Sequence, residues 1–177
     1  AAPASAPSVA QLPTQDAIFA ALTDETNPMS LTAEQRAEML KVLDAASAAN
    51  PKDARWVCGR AILVGRNGDK EKAVGLAEQA VKLDPRSSKA QCCYGTALFE
   101  NINNVGMFSK MGYASDGRDA YLKAVELDPK YVTPHIGLVQ FYANAPGIAG
   151  GSMKKARQHA EAVVAIGGWA TTTGHSM

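Results

Sequence analysis

GDKEKAVGLAEQAVKLDP, residues Gly68 to Pro85, joins a turn glycine, one amphipathic helix and a stopping proline. Asp116–Pro129, DGRDAYLKAVELDP, says nearly the same thing 44 residues on. Ala80-Val-Lys-Leu-Asp-Pro85 returns as Ala124-Val-Glu-Leu-Asp-Pro129 with one charge exchanged. Within the first copy, Ala73, Leu76, Ala77, Ala80, Val81 and Leu83 fall on one helical face. One such helix alone exposes an apolar stripe. Recurrence at a fixed offset therefore predicts stacked helical units, each burying the stripe of the next.

The preceding unit supports this. Asp53 to about Arg66 has helical periodicity through Trp56, Val57, Ile62, Leu63 and Val64. Asn67-Gly68 turns the chain, because glycine accepts the left-handed backbone that ends a helix. So short a turn makes the two helices antiparallel. Ser88 to about Asn101, with Tyr94, Leu98 and Phe99, is the next outgoing helix, and Ser115–Leu127 its return. Tyr131–Asn144 and Met153 to about Ile166 form a further pair, with Ser152 as the cap of the second. Upstream, Thr32 and Gln35 make a capping box for a helix running to about Ala49. Thr14 can cap a short first helix, Gln15–Thr23. The expected fold class is all-α, a right-handed superhelical array of antiparallel pairs with about eight helices.

Pro51 to Pro85 is 34 residues, but Pro85 to Pro129 is 44. The ten extra residues fall near Ile102–Gly112, between paired helices. A second irregular stretch, APGIAGG, covers Ala145–Gly151.

At 177 residues with a net charge of +1, the chain fits one domain. The mixed charges argue against general nucleic-acid or membrane-surface binding. No apolar run approaches the roughly 20 residues of a spanning helix. The three cysteines, Cys58, Cys92 and Cys93, are an odd number and predict free, mostly buried thiols. AAPASAPSVAQLP, Ala1–Pro13, lacks periodicity and is expected to be a mobile tail, as is Gly167–Met177. Its small residues fit an exported protein after signal-peptide removal, periplasmic or secreted. A cytoplasmic protein cut at an arbitrary point is the alternative.

These residues resemble the tetratricopeptide repeat, a 34-residue helix–turn–helix unit. The resemblance lies in the small residues Ala61 and Gly95 of the outgoing helices and Ala73, Gly117 and Ala156 of the return helices. Ala77, Tyr121 and Ala160 follow one turn later, then Ala80, Ala124 and Val163, and Pro51, Pro85 and Pro129 punctuate the units. Val139 departs towards bulk. It covers residues 54–85, 88–129 and 132–166, with 14–51 as a degenerate pair. QFYANAPGIAGGSMKKA further resembles exported or periplasmic bacterial repeat proteins with a glycine-rich insertion in the last unit.

The resemblance implies a non-enzymatic scaffold that binds a protein or peptide segment, with no cofactor or metal. The family's groove-facing places map to Arg55, Cys58 and Ile62, then Lys89, Cys92, Thr96 and Phe99, then Ile136 and Gln140. The lysine–asparagine clamp of chaperone-tail-binding repeats is replaced by Cys58/Ile62 and Cys92/Thr96. As equivalent groove places on neighbouring helices, Cys58 and Cys92 would sit roughly 9–10 Å apart. That exceeds the ~7 Å reach of a disulfide. A soft-metal or redox pair there is weighed against two packed small hydrophobes.

Function also collects where a chain leaves its frame. Met107, Phe108 and Met111 are too apolar for an idle loop; they fold back as core or make a contact surface. A homodimer through them stays open. Gly150, Gly151 and Ser152 precede a helix followed by Lys154 and Lys155, a candidate anion loop for a small-ligand carrier. Ser152-Met-Lys-Lys155 also fits a serine–lysine acyl-enzyme pattern, although a capping serine explains it more simply. His135, His159 and His175 lack metal-ligand spacing, and His135 is most simply a packing or rim residue.

Overall fold

The computed structural model describes residues 32–167. The expected tail Ala1–Pro13, the helix Gln15–Thr23 and all but Gly167 of the closing tail lie outside them. Seven α-helices are described: α1 (Ala33–Ala49), α2 (Ala54–Arg66), α3 (Lys70–Leu83), α4 (Ser88–Asn101), α5 (Met107–Leu127), α6 (Val132–Asn144) and α7 (Met153–Ile166). Single 3-10 turns at Ile102–Asn104 and Gly147–Ala149 mark the two insertions.

Local chemistry sets the boundaries. Asp53, Asp69, Ser87 and Ser152 cap α2, α3, α4 and α7, each accepting a first-turn backbone N–H. Gly68 closes the α2–α3 turn at φ +100°, the left-handed backbone its sequence position predicts.

The helices pack in antiparallel pairs, α2 with α3, α4 with α5 and α6 with α7, and each pair stacks on the next. Ala61, Ala73, Ala77, Ala80, Ala124 and Ala156 are all buried at these seams. A larger side chain at any of them would force neighbouring axes apart, at about 1–3 kcal/mol. Met39, Leu43, Trp56 and Leu63 join α1 to α2. Farther along, Tyr121, Leu138, Phe141 and Tyr142 make the core of the last two pairs.

Tyr121 stands where the other units have alanine, and glycines make room for it. An ideal Cβ on Gly95 would lie 2.9 Å from its ring, and one on Gly137 only 2.3 Å. The phenol oxygen bonds the Thr96 hydroxyl at 3.0 Å.

One boundary differs from expectation. The ten extra residues do not form a loop ending at Gly112. After the 3-10 turn the chain enters α5 at Met107, two turns before Ser115, so the return helix is 21 residues long. Its first two turns precede the expected start at Ser115 and leave Met107, Phe108 and Met111 exposed.

Candidate functional site: a cleft between the two insertions

Both insertions line one cleft of about 960 Å³. Met107, Lys110, Met111, Ala114, Ser115 and Arg118, at helical three- and four-residue spacing, form the α5 wall. Residues 145–150 form the opposite wall, and Phe99, Tyr121 and Phe141 pave the floor. Phe99 stacks on Tyr121 with ring centroids 5.4 Å apart and meets Phe141 tilted by 49°, at 5.9 Å. The rim is apolar and open: Met107 is 77% exposed, Met111 70%, and Ile148 fully. Met107, Phe108 and Met111 are thus not folded back as core. Phe108 is exposed too, but it does not line the cleft.

The 145–151 loop is tied down by its own backbone hydrogen bonds. Gly150 sits at φ +93°. Gly151 donates to the Pro146 carbonyl at 3.0 Å, and Ser152 to that of Tyr142 at 2.9 Å. An ideal Cβ on Gly151 would come within 1.8 Å of the Ala145 carbonyl oxygen, so only glycine fits.

The same bonds correct the anion-loop expectation. The amide N–H of Gly150 donates to Gly147, that of Gly151 to Pro146, and that of Ser152 to Tyr142. None of the three is left for a ligand. The Ser152 hydroxyl accepts the Lys155 backbone N–H at 3.4 Å, while the Lys155 ammonium lies over the Tyr142 ring. Serine and lysine are arranged as a cap and a cation–π contact, and no hydrogen bond links the ammonium to the hydroxyl.

The groove expected from the repeat is divided. Phe99 and Gln140 join the insertion residues in the cleft. Arg55 and Lys89 line a different, shallow opening by the starts of α2 and α4. There the Arg55 guanidinium is forked onto Asp53 at 2.7–3.2 Å and holds that carboxyl below its ordinary range. Ile62, Thr96 and Ile136 are half-buried and line neither cleft.

Cys58 and Cys92 are buried, which removes them from any groove surface. Cys58 packs against α4 rather than facing out, with its thiol towards the Lys89 carbonyl. Its structural neighbour is Cys93: the Cys93 thiol reaches the Cys58 carbonyl at 3.6 Å. Contact with the Cys58 thiol and burial push the Cys93 thiol well above the ordinary range.

His135 and His159, scattered in sequence, meet in space with Nδ1 atoms 3.0 Å apart. His135 is buried, as a packing residue. Its Nε2 must donate to the Pro129 carbonyl at 3.1 Å, since a carbonyl only accepts. Its Nδ1 therefore accepts, and His159 Nδ1 donates. Desolvation chiefly, then proximity to His135 and Lys155, lowers the His159 pKa. Among the described residues, no group of three or more His, Cys, Asp or Glu side chains could hold a metal. No described helix is long and apolar enough to cross a membrane.

Solved structures share the helical fold. A thermophilic TPR protein of Thermus thermophilus, TTC0263, superposes with a TM-score of 0.59 at 18% identity, covering 78% of each chain. The chain has the tetratricopeptide-repeat fold. A human IFIT1 dimer with PPP-AAAA matches with a TM-score of 0.60 and 21% identity over 74% of this chain. The present chain spans only 29% of IFIT1, and at such identity the likeness concerns the fold alone. No protein-family model matches the chain, and no curated protein sequence does.

Arg118, Lys110, Tyr121, Phe141 and Gly137 escaped the reading of the sequence as site residues. Lys110 and Arg118 could have been found as positions i+3 and i+11 from Met107, had the helix been extended back to Met107. The pairing of Tyr121 with Gly137 needs the third dimension.

Proposed function

We propose that this chain is a non-enzymatic scaffold holding a peptide segment of another protein, seated in the cleft between the insertions. The observation that carries this is the convergence of both departures from the repeat frame on one aromatic-floored cleft. The frame residues are spent on packing, whereas Met107 and Met111 stand in solvent at its mouth. Methionine is flexible and polarizable, and it adapts to irregular apolar partners. A clustered apolar rim of this kind suits a protein contact better than idle surface. An extracytoplasmic setting is proposed from the composition of residues 1–13.

Photo-crosslinking tests the proposal. Benzoylphenylalanine at position 111 should trap a defined partner in cells, whereas the same group at exposed Gln79 on α3 should not. Equal trapping at both positions, or trapping at 79 alone, would reject the cleft as the binding site.

A further inference from the structure

We infer that the cleft takes an extended peptide of the form acid–x–apolar–x–acid. This rests on the cleft being a peptide site and adds what the peptide must carry. The charged residues lining the cleft are Lys110 and Arg118, and neither Asp nor Glu lines it. Arg118 is half-buried, and its guanidinium lies over the Phe141 ring, 5.9 Å from the centroid. Its Nε and Nη2 are held by Asp119 and Ser115 at 2.8 and 3.2 Å. That leaves Nη1, aimed at the Gly150 wall, where an ideal Cβ would stand 3.3 Å from it. Nη1 has no hydrogen-bond partner among the described residues. The Arg118 Nη2 also pairs with the Asp119 carboxylate at 2.8 Å, whereas Lys110, also half-buried, makes no ion pair among the described residues. Partial burial beside apolar walls strengthens the pull of both cations on a carboxylate relative to open surface.

The spacing defines the ligand. Lys110 and Arg118 lie eight residues apart on one face of α5, about 12 Å along its axis. An extended chain rising about 3.3 Å per residue covers this distance in roughly four residues. Side chains at i, i+2 and i+4 of such a chain share one face. Carboxylates at i and i+4 then meet Lys110 and Arg118, and the residue at i+2 lies over Phe99 and Phe141. The extended form is the shortest ligand that reaches both cations; a helical one needs its acids eight residues apart.

The test is fluorescence polarisation with labelled, end-blocked Glu-Ser-Leu-Ser-Glu at low salt. The comparators are Gln-Ser-Leu-Ser-Gln, Lys-Ser-Leu-Ser-Lys, a version with adjacent acids, and a nine-residue peptide stapled into a helix with acids eight apart. Glu-Ser-Leu-Ser-Glu should bind most tightly and weaken as salt rises. Lys110→Glu, at a position that anchors no core contact, should lower that affinity about 3- to 10-fold. The same variant should favour a peptide with one glutamate replaced by lysine. If neutral and acidic peptides bind alike, Lys110→Glu has no effect and Met111→Ser weakens both, the acidic inference fails while the peptide site stands. If no peptide binds the folded protein, both fall. Tighter binding of the helical peptide would also overturn the inference, in favour of a helical ligand.

Discussion

Gly151→Ala tests whether the cleft wall is a fixed part of the fold. In the wild type an added Cβ would stand 1.8 Å from the Ala145 carbonyl oxygen and 2.7 Å from its carbon, both backbone atoms. No side-chain rotation relieves such a collision, so the loop must open. Opening breaks the Gly151–Pro146 and Ser152–Tyr142 hydrogen bonds, each contributing about 1 kcal/mol. It also loosens the loop's packing over the floor, for a total of about 2–4 kcal/mol. For a chain of this size that lowers Tm by roughly 5–12 °C. Gly147→Ala is the control, because nothing lies within 4 Å of its ideal Cβ. Its effect should stay within about 0.5 kcal/mol. Urea unfolding followed by helical circular dichroism gives both numbers with one m-value. A Gly151→Ala protein within about 0.5 kcal/mol of wild type would refute the wall as described.

Two helical glycines should respond with opposite signs in the same assay. Gly75→Ala, with open space around it, should stabilise α3 by about 0.5–1 kcal/mol, whereas Gly137→Ala meets the Tyr121 ring and should destabilise by about 1–3 kcal/mol. Folding keeps His159 neutral below the ordinary imidazole value of 6.5, so the unfolded chain binds more protons as pH falls. Stability should be full above pH 6.5 and decline as pH drops through it, and His159→Gln should flatten that slope in unfolding measured from pH 8 to 5. Native protein should leave its three cysteines unreactive to Ellman's reagent at pH 8, and denaturant should release all 3. Rapid native labelling of even one would contradict their burial.

The helix pairs were legible because periodic alanines and prolines repeat locally and report helix spacing directly. The Asn67-Gly68 turn was legible for the same reason, since one glycine sets one backbone angle. The site was less so. Met107, Phe108 and Met111 stood out as apolar, but their helix could not be seen past Ser109, Gly112 and Ser115, weak helix formers that neighbouring packing overrides. Cys58 and Cys92 were expected at groove places by the resemblance, yet both side chains are buried. Gly150 and Gly151 looked like anion donors from spacing alone. Where a loop's N–H groups point depends on which carbonyls fold back to meet them, and Gly147, Pro146 and Tyr142 supply those here. His135 and His159 met because adjacent helices bring residues 24 apart together, a contact no short motif encodes.

Methyl NMR on protein labelled at its methionine Cε groups tests most directly where binding occurs. Titrated with Glu-Ser-Leu-Ser-Glu, the Met107 and Met111 signals at the cleft mouth should shift together and saturate at one Kd. Met39, buried between α1 and α2, should stay still. Saturable shifts at Met39 with none at Met107 and Met111 would place the ligand elsewhere and contradict the cleft as the functional site.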